Sequence, residues 1–210
     1  MGLVLYHYVH CPYCVRVRMS LGFLNLPYDS RPLAYDDLKT PTDLIGVKIL
    51  PIMSFDAVPM RESLDIIRRL DVKNKLQSNA DLSKAEAFIK DVNNAVHSLA
   101  MPYWIQTAEF TPSARAYFQK QKEEKRGPFK DLVKKAPAFK EELLPLLMNL
   151  EKNLEPFFES ANLTLKDIMI AAHLWGLYVV PEFQFPDKIH AYLQSVKELC
   201  QFNYHQDLWS

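Results

Sequence analysis

Two cysteines separated by two residues are the clearest chemical feature of this sequence. Cys11 and Cys14 enclose Pro12 and Tyr13, and the chain of 210 residues contains 3 cysteines in total. A CxxC pair of this kind can supply half of a metal site, form a structural disulfide or exchange disulfides with other thiols. The residues around the pair decide among these three uses.

The position of the pair favours redox chemistry. An apolar run at residues 3–6 predicts a strand, and Pro12 suits the first turn of a helix. At such a junction the Cys11 sulfur would face unpaired backbone N–H groups and the positive end of the helix dipole, so we expect its pKa to be lowered. Cys14 would lie on the same face and could attack a disulfide formed at Cys11.

The two other uses of the pair are less well supported. A zinc site needs a second pair of ligands, but Cys200 and the 6 histidines provide no second CxxC and no HxxxH. A disulfide that closes so short a loop would constrain the unfolded chain very little. The sequence therefore predicts a working redox pair and no metal.

Composition narrows the class of protein. The 25 basic and 25 acidic residues give a formal net charge of zero, so no global field points to nucleic acid or an anionic membrane as a partner. No apolar run approaches the roughly 20 residues of a membrane span, and the N-terminus lacks the basic region of a signal peptide. Together with the few cysteines, these features predict a cytoplasmic protein.

The first 72 residues alternate between short strands and helices. Their pattern predicts the order β-α-β-α-β-β-α, with a hairpin at residues 56–57 and Ser63 as the N-cap of the last helix. Polar residues 73–80 predict a linker. Residues 81–210 are predicted to be all helical. The expected fold class is therefore α+β, with two domains of different composition.

The helical half is predicted from its apolar periodicity. The expected helices cover residues 82–102, 113–125, 137–158, 168–180 and 189–200. Thr164 and Asp167 form a variant of the capping box before the fourth of them. Residues 119–126 mix both charge signs and predict a solvated face, which is also the default expectation for Arg16.

Four stretches together resemble a known family. They are HCPYCVRVRM, PTDLIGVKILPIM, RESLDII and TPSARAYFQKQKE. The combination resembles the bacterial glutaredoxin 2 type, most closely as far as about residue 135. This resemblance implies an N-terminal thioredoxin-like domain and a C-terminal all-α domain, arranged as in a glutathione transferase.

The resemblance also implies roles for individual residues. Cys11 would be the nucleophile and Cys14 the resolving cysteine. Pro51 matches the family's cis-proline, which would leave the backbone of Leu50 free to pair with the cysteinyl part of glutathione. By pattern alone, Pro51 reads as an ordinary trans proline at the start of a strand.

Further residues match the positions that hold the two ends of glutathione in this family. Glu62 and Ser63 match the pair that binds the γ-glutamyl end, although their pattern alone indicates only the start of a helix. Lys48 and Arg16 are candidates for the glycyl carboxylate, and Tyr13 is expected to line the site. Leu50 and Arg61 stand where valine and proline are usual in the family. We expect these differences to affect the affinity for glutathione more than the activity.

The resemblance implies a glutathione-dependent thiol–disulfide oxidoreductase. Its partners would be glutathione and glutathionylated or disulfide-bonded proteins, and it would act as a monomer. Two alternatives stay open at this stage. One is a glutathione transferase that conjugates electrophiles, and the other is a non-catalytic module that carries an iron–sulfur cluster.

Overall fold

The structure is a computed structural model that describes residues 2–203. Its single sheet is formed by β1 (Leu3–His7), β2 (Asp29–Pro32), β3 (Ile52–Phe55) and β4 (Val58–Arg61). The strand order is β2-β1-β3-β4, with β2 parallel to β1 and both β1–β3 and β3–β4 antiparallel. Because β1 is central, the chain that leaves its carboxyl end emerges at the middle of the sheet edge.

Three helices complete the N-terminal part and confirm the predicted order of elements. They are α1 (Pro12–Phe23), α2 (Lys39–Ile45) and α3 (Ser63–Leu70). The predicted N-cap of α3 was wrong by one residue, since Glu62 is the cap and Ser63 is already helical. Glu62 has φ 71° and ψ 106°, a backbone conformation outside the helical region, so the helix can begin only after it.

The second half of the chain is helical, as predicted. It contains α4 (Ser83–Trp104), α5 (Pro112–Arg126), α6 (Phe129–Lys134), α7 (Ala136–Lys152), α8 (Leu165–Leu174) and α9 (Asp187–Leu199). The short helix α6 was not predicted. Residues Trp175–Val179 form a 3₁₀ helix where the sequence had suggested that α8 continues.

The end of α7 was also predicted wrongly. The helix ends at Lys152, six residues before the expected position, and Leu154 instead forms a bridge with Phe158. Pro156 lies in this segment, and its missing N–H cannot continue a helical hydrogen-bond ladder. The apolar residues at 154, 157 and 158 thus belong to a turn and not to the stripe of α7.

The capping box before α8 is confirmed, and it holds the centre of the helical half. Asp167 Oδ2 accepts hydrogen bonds from the Thr164 backbone N–H at 2.8 Å and from the Thr164 hydroxyl at 2.9 Å. Its other oxygen accepts from the Phe158 N–H and the Tyr192 hydroxyl. Helix α8 is buried and packs against both α1 and α4, so α1 is supported by the helical half.

The predicted linker is not a free tether. The Leu76 side chain is buried, and its carbonyl oxygen accepts a hydrogen bond from the Leu165 N–H at 2.8 Å. Asp71 accepts from the N–H groups of Lys75 and Leu76. The division at residues 72 and 81 stays a prediction. Within residues 2–203, each helix is too short or too polar to cross a bilayer.

Candidate active site

The cysteine pair lies at the junction of β1 and α1, as the sequence predicts. Cys11 is the N-cap of α1, with φ −70° and ψ 122°, and Pro12 follows as the first helical residue. The Cys11 carbonyl oxygen accepts hydrogen bonds from the N–H groups of Cys14 and Val15, both at 2.9 Å. Cys11 is partly exposed whereas Cys14 is fully buried.

The surroundings of Cys11 favour its thiolate. A hydrogen bond from the Cys14 thiol lowers the pKa of Cys11 to about 6, although burial opposes this change. The electrostatic interaction with the His10 ring and the backbone N–H groups of Cys14 and Tyr13 lower the pKa further. The predicted lowering is therefore confirmed, and Cys11 is a thiolate at neutral pH.

The surroundings of Cys14 favour its thiol. Burial raises the pKa of Cys14 well above its usual value, and the hydrogen bond and negative charge of Cys11 raise it further. The Tyr8 N–H points at the Cys14 sulfur from 3.4 Å. One partly exposed thiolate and one shielded thiol therefore stand next to each other.

A cavity of about 220 Å³ opens in front of Cys11, and both halves of the chain line it. The N-terminal half contributes the loop before α1, the start of α1 and two later loops. The helical half contributes α4 and α5. The lining includes Tyr8, His10, Cys11, Tyr13, Tyr35, Leu50, His97, Trp104, Phe118 and Lys122.

Leu50 and Pro51 lie at the same edge of the sheet as the cysteine pair. Strands β1 and β3 are antiparallel, with Tyr6 opposite Ile52, so the end of β1 and the start of β3 meet there. The Leu50–Pro51 peptide bond is cis, as the resemblance implies. Leu50 lines the cavity beside Cys11.

The structure places Lys48 next to the cavity lining. Its Nζ lies 4.2 Å from the centre of the Tyr35 ring and 4.6 Å from that of the Tyr117 ring. Tyr35 itself lines the cavity. Burial lowers the pKa of Lys48, and the nearby charge of Lys122 lowers it further. Two ammonium groups therefore converge near this wall.

Tyr13 stands between the two cysteines in the sequence, and Arg16 contacts it. Tyr13 is 47% exposed, and the Arg16 guanidinium lies 4.8 Å from the centre of its ring. Arg16 is only 4% exposed, so the expectation of a solvated side chain was wrong. It lines a second groove of about 400 Å³ together with Tyr13 and Leu64. Since Leu64 follows Ser63, this groove leads to the start of α3, where Glu62 is exposed and Ser63 buried.

Sequence reasoning missed Glu109, which lies in the loop between α4 and α5. Its Oε1 accepts hydrogen bonds from the Val9 N–H at 2.8 Å and from His10 Nδ1 at 2.8 Å. Its Oε2 accepts from the His10 N–H at 3.1 Å. Because 99 residues separate Glu109 from His10, no local motif links the two. Nothing in the sequence pattern therefore pointed to Glu109.

Lys122 was also missed, because it lies in a run of mixed charges. The structure places it on the cavity wall, where its Nζ lies 5.3 Å from the centre of the Phe118 ring. Across residues 2–203, no group of three or more His, Cys, Asp or Glu side chains has the arrangement of a metal site.

Comparison with known proteins agrees with this geometry. Residues 84–208 match the family described as "Glutaredoxin 2, C terminal domain", and residues 5–77 match "Glutathione S-transferase, N-terminal domain". Glutaredoxin 2 of Escherichia coli (strain K12) is 32% identical over 206 residues, which cover 95% of this chain and 96% of that protein. The chain belongs to the glutaredoxin 2 family. It is accordingly a glutathione-dependent oxidoreductase.

Solved structures place this glutaredoxin among the same relatives. Glutaredoxin 2 of Salmonella typhimurium, solved in complex with glutathione, has a TM-score of 0.88 and 31% identity over 98% of this chain and 97% of that one. A glutathione S-transferase of Ceriporiopsis subvermispora has a TM-score of 0.76 at 17% identity, over 95% of this chain and 98% of that one. The second likeness concerns the fold alone.

Proposed function

We propose that this glutaredoxin reduces protein–glutathione mixed disulfides and protein disulfides through Cys11 and Cys14. The observation that carries the proposal is the opposite perturbation of the two thiols, which pairs an accessible thiolate with a shielded thiol. A conjugating transferase needs only one group that holds a thiolate. A shielded second thiol beside that thiolate is what disulfide exchange uses.

The reaction begins at the partly exposed sulfur. The Cys11 thiolate attacks the glutathione sulfur of the mixed disulfide, a Cys11–glutathione disulfide forms, and the protein thiolate leaves and takes up a proton. The thiolate of a second glutathione then attacks the bound glutathione sulfur. Glutathione disulfide leaves, and the Cys11 thiolate is restored.

Protein disulfides would require both cysteines. After Cys11 has formed a mixed disulfide with the protein, Cys14 loses its proton and attacks the Cys11 sulfur, which releases the protein thiolate. The resulting Cys11–Cys14 disulfide is then reduced by two glutathione molecules. The hydrogen bond between the two thiols supports this step, since it places the Cys14 sulfur within reach of Cys11.

Glutathione is proposed to lie along the cavity edge. The Leu50 backbone would pair with its cysteinyl part, Ser63 and Glu62 would hold its γ-glutamyl end, and Lys48 would hold its glycyl carboxylate. Support comes from Leu50 in the lining and from the similar Salmonella typhimurium protein, which was solved with glutathione. Tyr13 lines both this cavity and the neighbouring groove, whereas Arg16 borders only the groove and is the weaker candidate. A monomer in the cytoplasm is part of the same proposal.

The test measures glutathione-dependent deglutathionylation of a mixed-disulfide peptide. We expect Cys11→Ser to lose activity and Cys14→Ser to keep most of it, while reduction of a protein disulfide needs both cysteines. Cys200→Ser is the matched control, because that thiol is buried just after the end of α9. If the wild-type protein fails to turn over the peptide but conjugates a model electrophile, the proposal is wrong and the transferase alternative holds.

A further inference from the structure

The carboxylate of Glu109 joins the helical half to the loop that carries the nucleophile. It accepts two backbone N–H groups, from Val9 and His10, and the Nδ1–H of the His10 ring, at 2.8 to 3.1 Å. These donors belong to the two residues that precede Cys11 in the chain. A single side chain of the distant half therefore fixes the last two residues before the nucleophile.

This contact is shielded from water. The side chain of Glu109 is 6% exposed and that of His10 is 5% exposed. The His10 ring is enclosed by the rings of Trp104 at 5.1 Å, Phe110 at 5.1 Å and Phe118 at 5.4 Å, measured between centres. In such surroundings water cannot readily replace a lost acceptor, so removal of the carboxylate would leave buried donors unsatisfied.

The loop that bears Glu109 is itself well fixed. Phe110 is buried against the His10 ring, and Thr111 caps α5 by accepting a hydrogen bond from the Ala114 N–H at 3.2 Å. On the other side, the Thr107 hydroxyl donates to the Trp104 carbonyl oxygen at 2.8 Å. Glu109 is thus presented from a segment that is anchored on both sides, which a positioning residue requires.

We propose that Glu109 is a positioning residue for the reaction, which holds the loop before α1 and the His10 ring so that the Cys11 sulfur stays at the helix N-terminus. This inference rests on the proposed function. It gives the helical half a part in the chemistry beyond covering the cavity. Nothing in the chemistry of glutathione itself requires such a residue.

The direction in which the pKa of Cys11 changes when Glu109 is removed distinguishes positioning from a simple charge effect. Glu109 is negative, so a purely through-space effect would disfavour the Cys11 thiolate, and its removal would lower the pKa of Cys11. Loss of positioning has the opposite sign, because the sulfur would lose the backbone N–H groups and the interaction with the His10 ring that favour the thiolate. The titratable or charged groups around Cys11 include Tyr8, His10, Tyr13, Cys14, Arg16, Tyr35 and Lys122, and none of them is substituted in this comparison.

The experiment follows alkylation of Cys11 by iodoacetamide as a function of pH, with the site assigned by peptide mass spectrometry. For Glu109→Gln we expect the midpoint to rise by about one pH unit, a part of the lowering that helix N-termini and nearby cations produce. Glu109→Asp keeps the carboxylate, so its midpoint should lie between that of Glu109→Gln and that of the wild-type protein. Glu142→Gln, an exposed glutamate of α7, is the matched control and should leave the midpoint unchanged.

A double-mutant cycle tests whether Glu109 affects Cys11 through the His10 ring. His10→Phe keeps an aromatic ring in the cage but removes Nδ1. If Glu109 acts partly through this ring, the shift of the double variant will be smaller than the sum of the two single shifts. Additive shifts would remove His10 from the proposal and so contradict it.

Two further outcomes would overturn the proposal. A midpoint that falls in Glu109→Gln would make Glu109 a simple nearby charge. An unchanged midpoint with a lower melting temperature would make it a structural residue only. Alkylation needs no turnover, so it can succeed when deglutathionylation by the wild-type protein fails, and the fate of the proposed function is therefore read separately.

Discussion

The two walls of the Cys11 cavity are built in different ways. The N-terminal wall comes mainly from one short segment, residues 8–13, together with Tyr35 and Leu50. The helical wall is assembled from residues that lie far from the cysteines in sequence, between His97 and Lys122. The first wall bears the reacting sulfur, whereas the second is mostly aromatic and bears one ammonium group.

The local segment around the cysteines favours the Cys11 thiolate, whereas burial by the rest of the chain shields the pair. Hydrogen bonds from Cys14 and from the first turn of α1 lower the pKa of Cys11, and they arise within four residues of the chain. Burial raises the pKa of Cys14 and opposes the lowering at Cys11. Because the helical half contributes to that burial, the reactivity of the pair depends on long-range packing as well as on the local motif.

The largest expected effect comes from the contact between α1 and the last helix. A Cβ added at Gly22 would lie 1.8 Å from the Cys200 carbonyl oxygen, a backbone atom that cannot move independently. We expect Gly22→Ala to lower the free energy of unfolding by about 3 kcal/mol, the upper part of the usual range for overpacking. Urea unfolding monitored by circular dichroism measures this loss.

The matched control is Gly2→Ala, where the added Cβ would meet only the Asp56 carboxylate at 3.8 Å. This change should alter the free energy of unfolding by less than about 0.5 kcal/mol. If Gly22→Ala is no more destabilising than Gly2→Ala, then α1 does not depend on α9 for its position. In that case the two walls are less strongly coupled than the packing indicates.

The next effect concerns acid, since both halves contain buried histidines. Burial lowers the pKa of His7 in β1 to about 3 and that of His173 in α8 to about 3. Unfolding exposes these rings, which then take up protons below the ordinary pKa of about 6.5. The folded state is therefore favoured above pH 6.5 and loses stability as the pH falls, by about 2 kcal/mol per histidine at pH 5.

Single substitutions should show this in each half. We expect His7→Gln and His173→Gln each to reduce the loss of stability between pH 7 and pH 5, as measured by urea unfolding at both values. His190→Gln is the control, because His190 is exposed and should leave that loss unchanged. Equal losses in all three variants and the wild type would mean that other groups dominate the acid sensitivity.

The features that could be predicted from sequence are those encoded by neighbouring residues. Two helix starts are of this kind, and each depends on fewer than five positions. They are the start of α1, with Cys11 as cap and Pro12 as first residue, and the capping box of Thr164 and Asp167. The order of strands and helices follows from local periodicity in the same way. The family resemblance added the cis bond before Pro51, which local pattern alone did not favour.

The features that could not be predicted depend on contacts between distant segments. His10 lies next to the nucleophile in the sequence, but its burial requires Trp104 and Phe118 from the helical half. Arg16 and Lys122 both looked like solvated charges, because helical periodicity cannot show that a second half covers one side. The sequence therefore identified the reactive pair but not the wall that faces it.

The smallest expected effect distinguishes Lys122 from the other cations of α5. Burial lowers the pKa of Lys122, whereas the nearby negative charge of Cys11 raises it, so the ammonium group and the thiolate stabilise one another. We expect Lys122→Met to raise the midpoint of Cys11 alkylation by roughly 0.3 pH unit, because solvent and salt screen a partly exposed charge. Lys120→Met changes an exposed lysine of the same helix and should have no effect. Equal shifts in the two variants would show that α5 acts through its overall charge, whereas a shift in Lys122→Met alone would assign the effect to the cavity wall.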